Sequence, residues 1–320
     1  MKFSVLGSGR WGSFIAWYLD KIGNDVILWG KPTSKKIQEL LTTRKNDYVT
    51  IPDSITLSTD LQEALTKSEY IVISISSQGL RGLAEEIIQF EGFKTKKFIL
   101  CMKGVEKTTG SRLSTILIET GIPQENIAVW VGPGHIQSFV SEIPSVMIID
   151  AYNDELSKFL AQNLRSNLIR FYQGKDIIGS EIGAAAKNVI GLAAGLLDGM
   201  GYSTLKGGLM ARGSREVARL IEACGGNPLS AYGLCHLGDY EATLFSEFSH
   251  NRKWGEMFAQ DKMFDKLAEG VDTSEALLKL ASKHNVELPI TKTVYDVIHK
   301  NITKQEAIKL LFDRDNLYEF

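Results

Sequence analysis

Short, continuously apolar runs alternate with helical patterns over the first half of the chain. Such runs, rich in β-branched residues, are typical of parallel strands buried on both faces. The amphipathic stretches Phe14–Ile22 and Leu80–Phe90 lie between them. This β-α-β alternation predicts a doubly wound parallel sheet with helices on both sides. The predicted strands are Lys2–Leu6, Asp25–Trp29, Tyr70–Ile75, Phe98–Met102 and Ile127–Val131, followed by Ser145–Ile149 and Leu168–Tyr172.

The pattern changes after about Gly174, where alanine, leucine and glycine dominate and strand-like runs nearly vanish. A chain of 320 residues has room for two domains of about 150 residues each. We therefore expect an α/β fold: an N-terminal Rossmann-type dinucleotide-binding domain over residues 1–178 and an all-helical, substrate-binding domain over residues 179–320. The helices predicted in the second domain are Ser180–Leu197, Leu209–Cys224, Ser274–Lys283 and Ile290–Lys300.

Composition narrows the class of protein. The formal net charge is −2, from 36 basic and 38 acidic residues, which gives no electrostatic reason to expect nucleic acid as a partner. Three cysteines without CxxC spacing argue against a disulfide framework or structural zinc, and we expect no metal. No run of about 18 apolar residues predicts a membrane span, and the glycine motif near the start leaves no room for a signal peptide. We expect a cytoplasmic protein.

Residues 7–12, Gly-Ser-Gly-Arg-Trp-Gly, match the pattern G-x-G-x-x-G. The motif follows a predicted strand and opens a predicted helix, which is the context that a dinucleotide site requires. Gly7 permits the tight turn, Gly9 lets the pyrophosphate approach the backbone, and Gly12 lets helix and strand pack closely. The helix N-terminus offers N–H groups and a positive dipole to the phosphates.

The end of the second strand bears on the choice between NADP and NAD. NAD-preferring sites usually place an acid there to hold the ribose 2′-hydroxyl. This chain has Trp29-Gly30-Lys31, with Lys35 nearby. A 2′-phosphate would meet positive charge, so we expect NADP to be preferred over NAD, unless Lys31 is merely a solvated loop lysine.

Lys187 stands inside a helical run of small and apolar residues, Glu181-Ile182-Gly183-Ala-Ala-Ala-Lys187-Asn-Val-Ile-Gly191. A lysine buried there needs a partner or a lowered pKa, and either suits a proton donor to a carbonyl oxygen. A lysine that snorkels from a seam between helices would explain the same spacing.

At these residues the sequence resembles the NAD(P)-dependent glycerol-3-phosphate dehydrogenases. The run around Lys187 is similar to the family's E-x-G-G-A-x-K-N-V helix. Six further segments resemble family motifs in the same order: residues 7–12 (GSGRWG), 101–104 (CMKG), 132–135 (GPGH), 209–220 (LMARGSREVARL), 237–243 (the GLGDL-x-x-T stretch) and 249–252 (SHNR, for SRNR).

The resemblance implies an activity and three catalytic residues. The family reduces dihydroxyacetone phosphate to sn-glycerol 3-phosphate, which supplies phospholipid synthesis. Lys187 would be the general acid/base at the C2 oxygen, Lys103 would contact substrate and nicotinamide, and Asp239 would orient Lys187.

The glycine motif and the resemblance together imply the binding residues. Those expected to bind the cofactor are Gly7, Ser8, Gly9, Arg10, Trp11, Gly12, Lys31, Lys103, Ile136, His250, Leu267 and Glu269. Those expected to bind the phosphorylated three-carbon substrate are Lys103, Gly132, Gly134, Lys187, Asp239, Thr243, Ser249, His250, Asn251 and Arg252.

The chain departs from the family's motifs at several of these positions. His250 replaces an arginine that reaches phosphate groups, and histidine is mostly neutral at pH 7, so we expect weaker phosphate binding unless Arg252 or Lys253 compensates. Gly134 replaces a serine or threonine and removes a hydroxyl. Residues 240–242, Tyr-Glu-Ala, replace a Leu-Val-Leu-like run beside Asp239.

Two other hypotheses are compatible with the sequence. One is a related NADPH-dependent reductase with a different substrate, such as a ketopantoate reductase, which also uses a lysine and an asparagine on one helix. The other is a nucleotide-binding regulator that has lost catalysis. By analogy with paired helical second domains, we expect a homodimer.

Overall fold

The structure is a computed structural model that describes residues 1–313. Eight strands form one sheet in the order β3-β2-β1-β4-β5-β6-β7-β8. The strands are β1 (Lys2–Leu6), β2 (Asp25–Trp29), β3 (Thr56–Ser58), β4 (Tyr70–Ile73), β5 (Lys97–Leu100), β6 (Ile127–Val131), β7 (Ser145–Ala151) and β8 (Ile169–Gln173).

The strand order confirms the predicted doubly wound fold. The order reverses between β1 and β4, and ligands of such sheets bind at the carboxyl ends of the strands beside this reversal. The expectation of a wholly parallel sheet is wrong at one place, because β7 runs antiparallel to β6. The connection between these strands contains only a five-residue helix, Ile136–Val140, whereas a parallel crossover usually contains a longer one. Strand β3 was not predicted, because its three residues carry too little apolar pattern.

Thirteen α-helices are formed by residues 1–313: α1 (Arg10–Lys21), α2 (Lys35–Thr43), α3 (Leu61–Lys67), α4 (Leu80–Ile87), α5 (Leu113–Glu119), α6 (Ile136–Val140), α7 (Asp154–Asn163), α8 (Ile177–Gly199), α9 (Lys206–Ala223), α10 (His250–Ala259), α11 (Glu269–Lys283), α12 (Pro289–Ile298) and α13 (Lys304–Phe312). The predicted helices are present with shifted ends. For example, α1 begins at Arg10 rather than Phe14, because the turn of the glycine motif leads directly into it.

Both faces of the sheet are buried, which explains the continuous apolar runs. Ile71 and Ile73 of β4 belong to one apolar core, whereas Val72 between them belongs to the other. Successive side chains of a strand point to opposite faces, so each strand contributes to both cores. The core that contains Val72 also contains Phe14 and Tyr18 of α1.

The chain divides into two compact units. Unit 1 comprises Met1–Lys103 and Arg112–Glu181 and contains the sheet; unit 2 comprises Gly104–Ser111 and the chain from Ile182 onward. The described part of unit 2 contains helices and short helical turns but no strand. The division of function between residues 1–178 and 179–320 stays a prediction.

Helix α8 alone, in the part of the chain that the structure describes, is long and apolar enough to cross a membrane. Its apolar window is 94% buried within the protein, as in the core helix of a globular fold.

Within unit 2, a buried carboxylate joins α9 to α12. Glu216 of α9 accepts hydrogen bonds from the backbone N–H groups of Ile290 (2.6 Å) and Thr291 (3.0 Å) and from the Thr291 hydroxyl (2.7 Å). These N–H groups lie in the first turn of α12, where a helix leaves its donors without internal partners. Burial raises the pKa of Glu216, although the three hydrogen bonds oppose that change.

Replacing Glu216 by alanine should lower the free energy of unfolding by roughly 2–4 kcal/mol, because each donor left buried without a partner costs about 1–3 kcal/mol. Urea denaturation measures the change. Glu222 lies exposed on the same helix, so Glu222→Ala is the matched control, with an expected effect within about 0.5 kcal/mol. Equal midpoints for the two variants would contradict the assigned role of Glu216.

Candidate active site

The glycine motif forms the sharp turn between β1 and α1. The φ angle of Gly7 is +126°, and a Cβ there would lie 2.2 Å from the carbonyl oxygen of Ser74. A Cβ on Gly12 would lie 1.7 Å from the carbonyl oxygen of Gly7. Both positions therefore require glycine for the fold itself, and the Ser8 side chain between them is buried.

Gly9 has a different environment, and it is the position that fits a nucleotide. A Cβ on Gly9 would have only the Lys36 Nζ atom within 4 Å, at 3.7 Å. This open backbone lies at the N-terminus of α1, where N–H groups and the helix dipole favour phosphate. The turn thus fits a dinucleotide pyrophosphate at Gly9.

The lysines near the end of β2 are arranged differently from the expectation. Lys31 forms an ion pair with Glu86 at 3.1 Å, and both side chains are about half exposed. The partner carboxylate offsets part of the positive charge on which the NADP preference was argued. Lys36, at the start of α2, is the lysine that lies next to the glycine motif.

Lys103 lies just beyond the carboxyl end of β5, within unit 1. Its ammonium group donates a 2.7 Å hydrogen bond to the carbonyl oxygen of Gly132 and stands 5.4 Å from the centre of the Trp11 ring. The structure therefore brings three predicted residues together on the edge of the sheet where a nucleotide is expected. Arg10 is the first residue of α1; it donates to Gln137 at 3.3 Å and lies over the Tyr48 ring.

The Gly134 departure has a steric reason. Its φ angle is +143°, and a Cβ would lie 2.4 Å from the Phe139 ring, so a serine or threonine has no room here. Ile136 begins α6 and is 1% exposed, so its side chain packs in the core of unit 1. A contact from Ile136 to a cofactor would have to use its backbone.

In unit 2, Lys187 forms a buried ion pair with Asp239. The Nζ atom lies 2.5 Å from Asp239 Oδ2 and donates a 2.9 Å hydrogen bond to the Thr243 hydroxyl. The lysine is 7% exposed and the aspartate 1% exposed, which argues against a snorkelling lysine. A buried, paired ammonium with a hydroxyl beside it can hold and deliver a proton.

The backbone around Lys187 allows this close packing. Gly183 and Gly191 flank Lys187 on its own face of α8, because side chains four residues apart are neighbours on a helix. Gly195 and Gly199 continue this row of glycines, which winds around the helix. A Cβ on Gly191 would lie 2.9 Å from Thr243 Cγ2, and one on Gly195 would lie 1.9 Å from the Arg252 carbonyl oxygen. The row of glycines lets neighbouring segments reach the helix backbone on either side of the lysine.

Asn251 is fixed at both ends of its amide. It donates a 3.0 Å hydrogen bond to Asn188 Oδ1, and its own Oδ1 accepts a 2.9 Å hydrogen bond from the backbone N–H of Gly270. It thereby joins α10 to α8, next to Lys187, and to the first turn of α11. Sequence reasoning did not single out Asn188 and Gly270, although Asn188 stands inside the quoted K-N-V motif.

Comparison with known proteins gives the family. Residues 2–157 match the model described as "NAD-dependent glycerol-3-phosphate dehydrogenase N-terminus", and residues 176–309 match the model described as "NAD-dependent glycerol-3-phosphate dehydrogenase C-terminus". The chain belongs to this family. A relative from Thermoanaerobacter sp. (strain X514), named "Glycerol-3-phosphate dehydrogenase [NAD(P)+]", is 33% identical over 100% of this chain and 99% of its own. One of the same name from Fusobacterium nucleatum is also 33% identical, over 100% and 98%.

Solved structures agree with the family. A glycerol-3-phosphate dehydrogenase from Coxiella burnetii superposes with a TM-score of 0.89 at 25% identity, covering 98% of this chain and 99% of that one. A ketopantoate reductase from Ralstonia eutropha has a TM-score of 0.61 at 14% identity, over 96% of this chain and 100% of that one, which shows a likeness of fold alone. The predicted family, fold class and NAD(P)-dependent enzyme class are confirmed.

The motif that corresponds to the dehydrogenase family's SRNR begins α10. The Ser249 hydroxyl caps this helix by accepting a 3.3 Å hydrogen bond from the Arg252 N–H group. His250 is the first residue of the helix, and its partly exposed ring lies edge-on to Phe264. Their roles toward substrate and cofactor stay predictions.

Arg252 is committed to an internal ion cluster. Its Nε atom lies 2.7 Å from Asp198 Oδ2, and the same oxygen lies 2.6 Å from the Nζ atom of buried Lys206. Burial works to raise the pKa of Asp198, but hydrogen bonds from Lys206 and Ser203 and the charge of Arg252 hold it lowered. A phosphate contact from Arg252 would have to use the N–H groups outside this pair.

The remaining predicted residues precede or begin α11. Leu267 is 64% exposed, whereas Glu269 is the first residue of the helix and its carbonyl oxygen accepts a 2.7 Å hydrogen bond from Thr273. The dehydrogenase resemblance places them near the nicotinamide, and that assignment stays a prediction.

Alanine substitutions at two glycines separate folding from cofactor binding. Gly12→Ala should lower the thermal stability of the apoprotein, because the new methyl group would overlap the Gly7 carbonyl. Gly9→Ala should leave the melting temperature unchanged and weaken NADPH binding by about tenfold or more, roughly 1.4 kcal/mol, because the methyl group would occupy the phosphate's place. Thermal unfolding and tryptophan-fluorescence titration measure the two effects. Wild-type affinity in Gly9→Ala would contradict pyrophosphate binding at this glycine.

Proposed function

We propose that the protein is a cytoplasmic oxidoreductase that reduces dihydroxyacetone phosphate to sn-glycerol 3-phosphate with a hydride from NAD(P)H. The observation that carries the proposal is the buried Lys187–Asp239 ion pair with Thr243 beside it. It occurs in a chain whose relatives are named glycerol-3-phosphate dehydrogenases [NAD(P)+].

Lys187 acts as the general acid. Reduction of the C2 carbonyl requires a hydride at carbon and a proton at oxygen, and the Lys187 ammonium group supplies the proton. Asp239, 2.5 Å away, favours the charged form of the lysine before transfer. The Thr243 hydroxyl, which accepts from the same ammonium, fixes the direction of the Nζ atom. In the reverse direction Lys187 acts as the base.

Unit 1 carries the groups for the cofactor, which supplies the hydride when bound. Gly9 and the N-terminus of α1 bind the pyrophosphate, and Trp11 with Lys103 lines the same edge of the sheet. Lys36 beside the glycine motif, together with Lys31, whose charge Glu86 partly offsets, provides positive charge where NAD-preferring enzymes place an acid, which favours NADPH over NADH.

Phosphate recognition is assigned to the start of α10. Ser249, His250 and Asn251 bind the phosphate with the help of backbone N–H groups at the N-terminus of that helix. A histidine at position 250 lacks the permanent charge and bidentate geometry of an arginine, so the KM for the phosphorylated ketone is higher than with an arginine there. The product supplies phospholipid synthesis, and the protein works as a homodimer.

Turnover with purified protein tests the proposal. Absorbance at 340 nm should fall when dihydroxyacetone phosphate is added to protein and NADPH, with saturable kinetics and a slower rate with NADH. Ketopantoate, the substrate of the alternative reductase, should give no turnover. Turnover with ketopantoate but not with dihydroxyacetone phosphate would identify the protein as the alternative reductase. NADPH binding without turnover of either ketone would favour a nucleotide-binding regulator.

Lys187→Ala should lower kcat by about 10²–10⁴-fold, the range typical of a lost general acid, while NADPH affinity stays that of the wild type. Lys283→Ala, at an exposed lysine of α11, is the control and should behave as wild type. Tryptophan-fluorescence titration supplies the cofactor affinity. A parallel loss of cofactor binding in Lys187→Ala would contradict the role of Lys187 as the general acid.

A further inference from the structure

Two buried polar side chains flank Asp239 and take no part in the chemistry described above. His236 and Tyr240 are both 0% exposed. They stand on either side of the helical turn Leu237–Asp239, so Asp239 lies between them in the chain. The quoted family pattern GLGDL carries a glycine and a leucine at these positions, and neither can form the hydrogen bonds seen here.

The His236 ring bridges Tyr240 and helix α8. Its Nδ1 atom lies 2.9 Å from the Gly183 carbonyl oxygen, and its Nε2 atom lies 2.6 Å from the Tyr240 hydroxyl. A carbonyl oxygen can only accept, so the proton of the neutral ring is assigned to Nδ1. Nε2 then accepts from the Tyr240 hydroxyl, and both ring nitrogens are satisfied.

The Gly183 carbonyl oxygen is the helical hydrogen-bond acceptor for the backbone N–H group of Lys187. In an α-helix, the N–H group of residue i donates to the carbonyl of residue i−4. The Gly183 oxygen therefore serves Lys187 in α8 and accepts from His236 as well. His236 is thus hydrogen-bonded to the peptide group that holds the backbone of the lysine.

The backbone of His236 is in turn hydrogen-bonded to Asp239. The Asp239 N–H group donates a 3.0 Å hydrogen bond to the His236 carbonyl oxygen. A Cβ on Gly183 would lie 2.9 Å from Cys235 Sγ and 3.1 Å from His236 Cβ, so this segment lies directly on the helix backbone. A shift of His236 would therefore move Asp239 relative to Lys187.

The bridge is uncharged at neutral pH. Burial lowers the pKa of His236 to about 4; the charge of Lys187 acts in the same direction, whereas the Gly183 hydrogen bond and Asp239 oppose it. Burial also raises the pKa of Tyr240, with a further contribution from Glu216. Neither group competes with Lys187 for its proton near pH 7.

We propose that His236 and Tyr240 are positioning residues that hold Asp239 against the Lys187 ammonium group. The proposal rests on the proposed function of Lys187 as the general acid. An aspartate that drifts from the lysine no longer favours its charged form, so the proton donor is depleted at lower pH.

Three variants test the two hydrogen bonds of the His236 ring separately. His236→Leu removes both hydrogen bonds at similar volume and should lower kcat on the order of 10- to 100-fold, the effect of a misplaced catalytic group, with little change in KM. The basic limb of the kcat–pH profile should move to lower pH. His236→Asn keeps a donor for Gly183 and should recover most of the activity. Tyr240→Phe removes only the hydroxyl that is hydrogen-bonded to His236 Nε2, so its kcat should lie between those of His236→Leu and His236→Asn. His299→Leu, at an exposed histidine of unit 2, is the control.

A measurement without turnover keeps this test separate from that of the proposed function. Labelling of amines by acetic anhydride across pH, followed by peptide mass spectrometry, reports the protonation of Lys187. Earlier labelling with rising pH in His236→Leu or Tyr240→Phe supports the bridge even if the wild-type protein fails to reduce dihydroxyacetone phosphate. Wild-type labelling and an unmoved pH limb in both variants, with only a lower melting temperature, would overturn the proposal.

Discussion

The ion pair between Lys187 and Asp239 is the interaction on which the proposed chemistry depends. Both groups are almost fully buried, and burying an ion costs several kcal/mol unless geometry and hydrogen bonds compensate. The pair therefore contributes little to stability by itself, and breaking it by removing one partner leaves an uncompensated charge. In the proposed mechanism its role is functional, because the aspartate favours the charged form of an ammonium group that is largely shielded from water.

The sequence of α8 makes this burial feasible. Glycines recur every four residues on both sides of Lys187, so the segment around Asp239 and α10 approach the helix backbone rather than its side chains. The Thr243 hydroxyl and Asn251 amide supply polar contacts on either side. The burial of this ion pair thus depends on the glycines of α8 as well as on the charged residues themselves.

The features that could be predicted from the sequence are those that follow from local physical constraints on the chain. The glycine motif, the buried strands and the isolated lysine of α8 each have a pattern that follows from backbone geometry or desolvation. The antiparallel β7 could not be predicted, because strand direction depends on how the connection after β6 folds. The pairs Lys31–Glu86 and Arg252–Asp198 join residues 55 and 54 positions apart in the chain, so no spacing rule reveals them.

The contacts of His236 could likewise not be predicted from the sequence. No motif or spacing distinguishes His236 in the sequence, and its ring is fully buried. Its two hydrogen bonds depend on where the turn before Asp239 meets α8, and composition carries no signal for that meeting. Gly134 is a related case, since the missing hydroxyl follows from the position of Phe139.

The most direct test of the account is the steady-state kinetics of Asp239→Asn with dihydroxyacetone phosphate and NADPH, from about pH 6 to 10. Asparagine keeps the size of the side chain and removes the charge that favours the Lys187 ammonium group. We expect a kcat at least about 100-fold lower, a basic limb displaced to lower pH, unchanged NADPH affinity and a folded protein by circular dichroism. A folded variant with kcat and pH profile close to those of the wild type would contradict it, because the proton donor would then not depend on this ion pair.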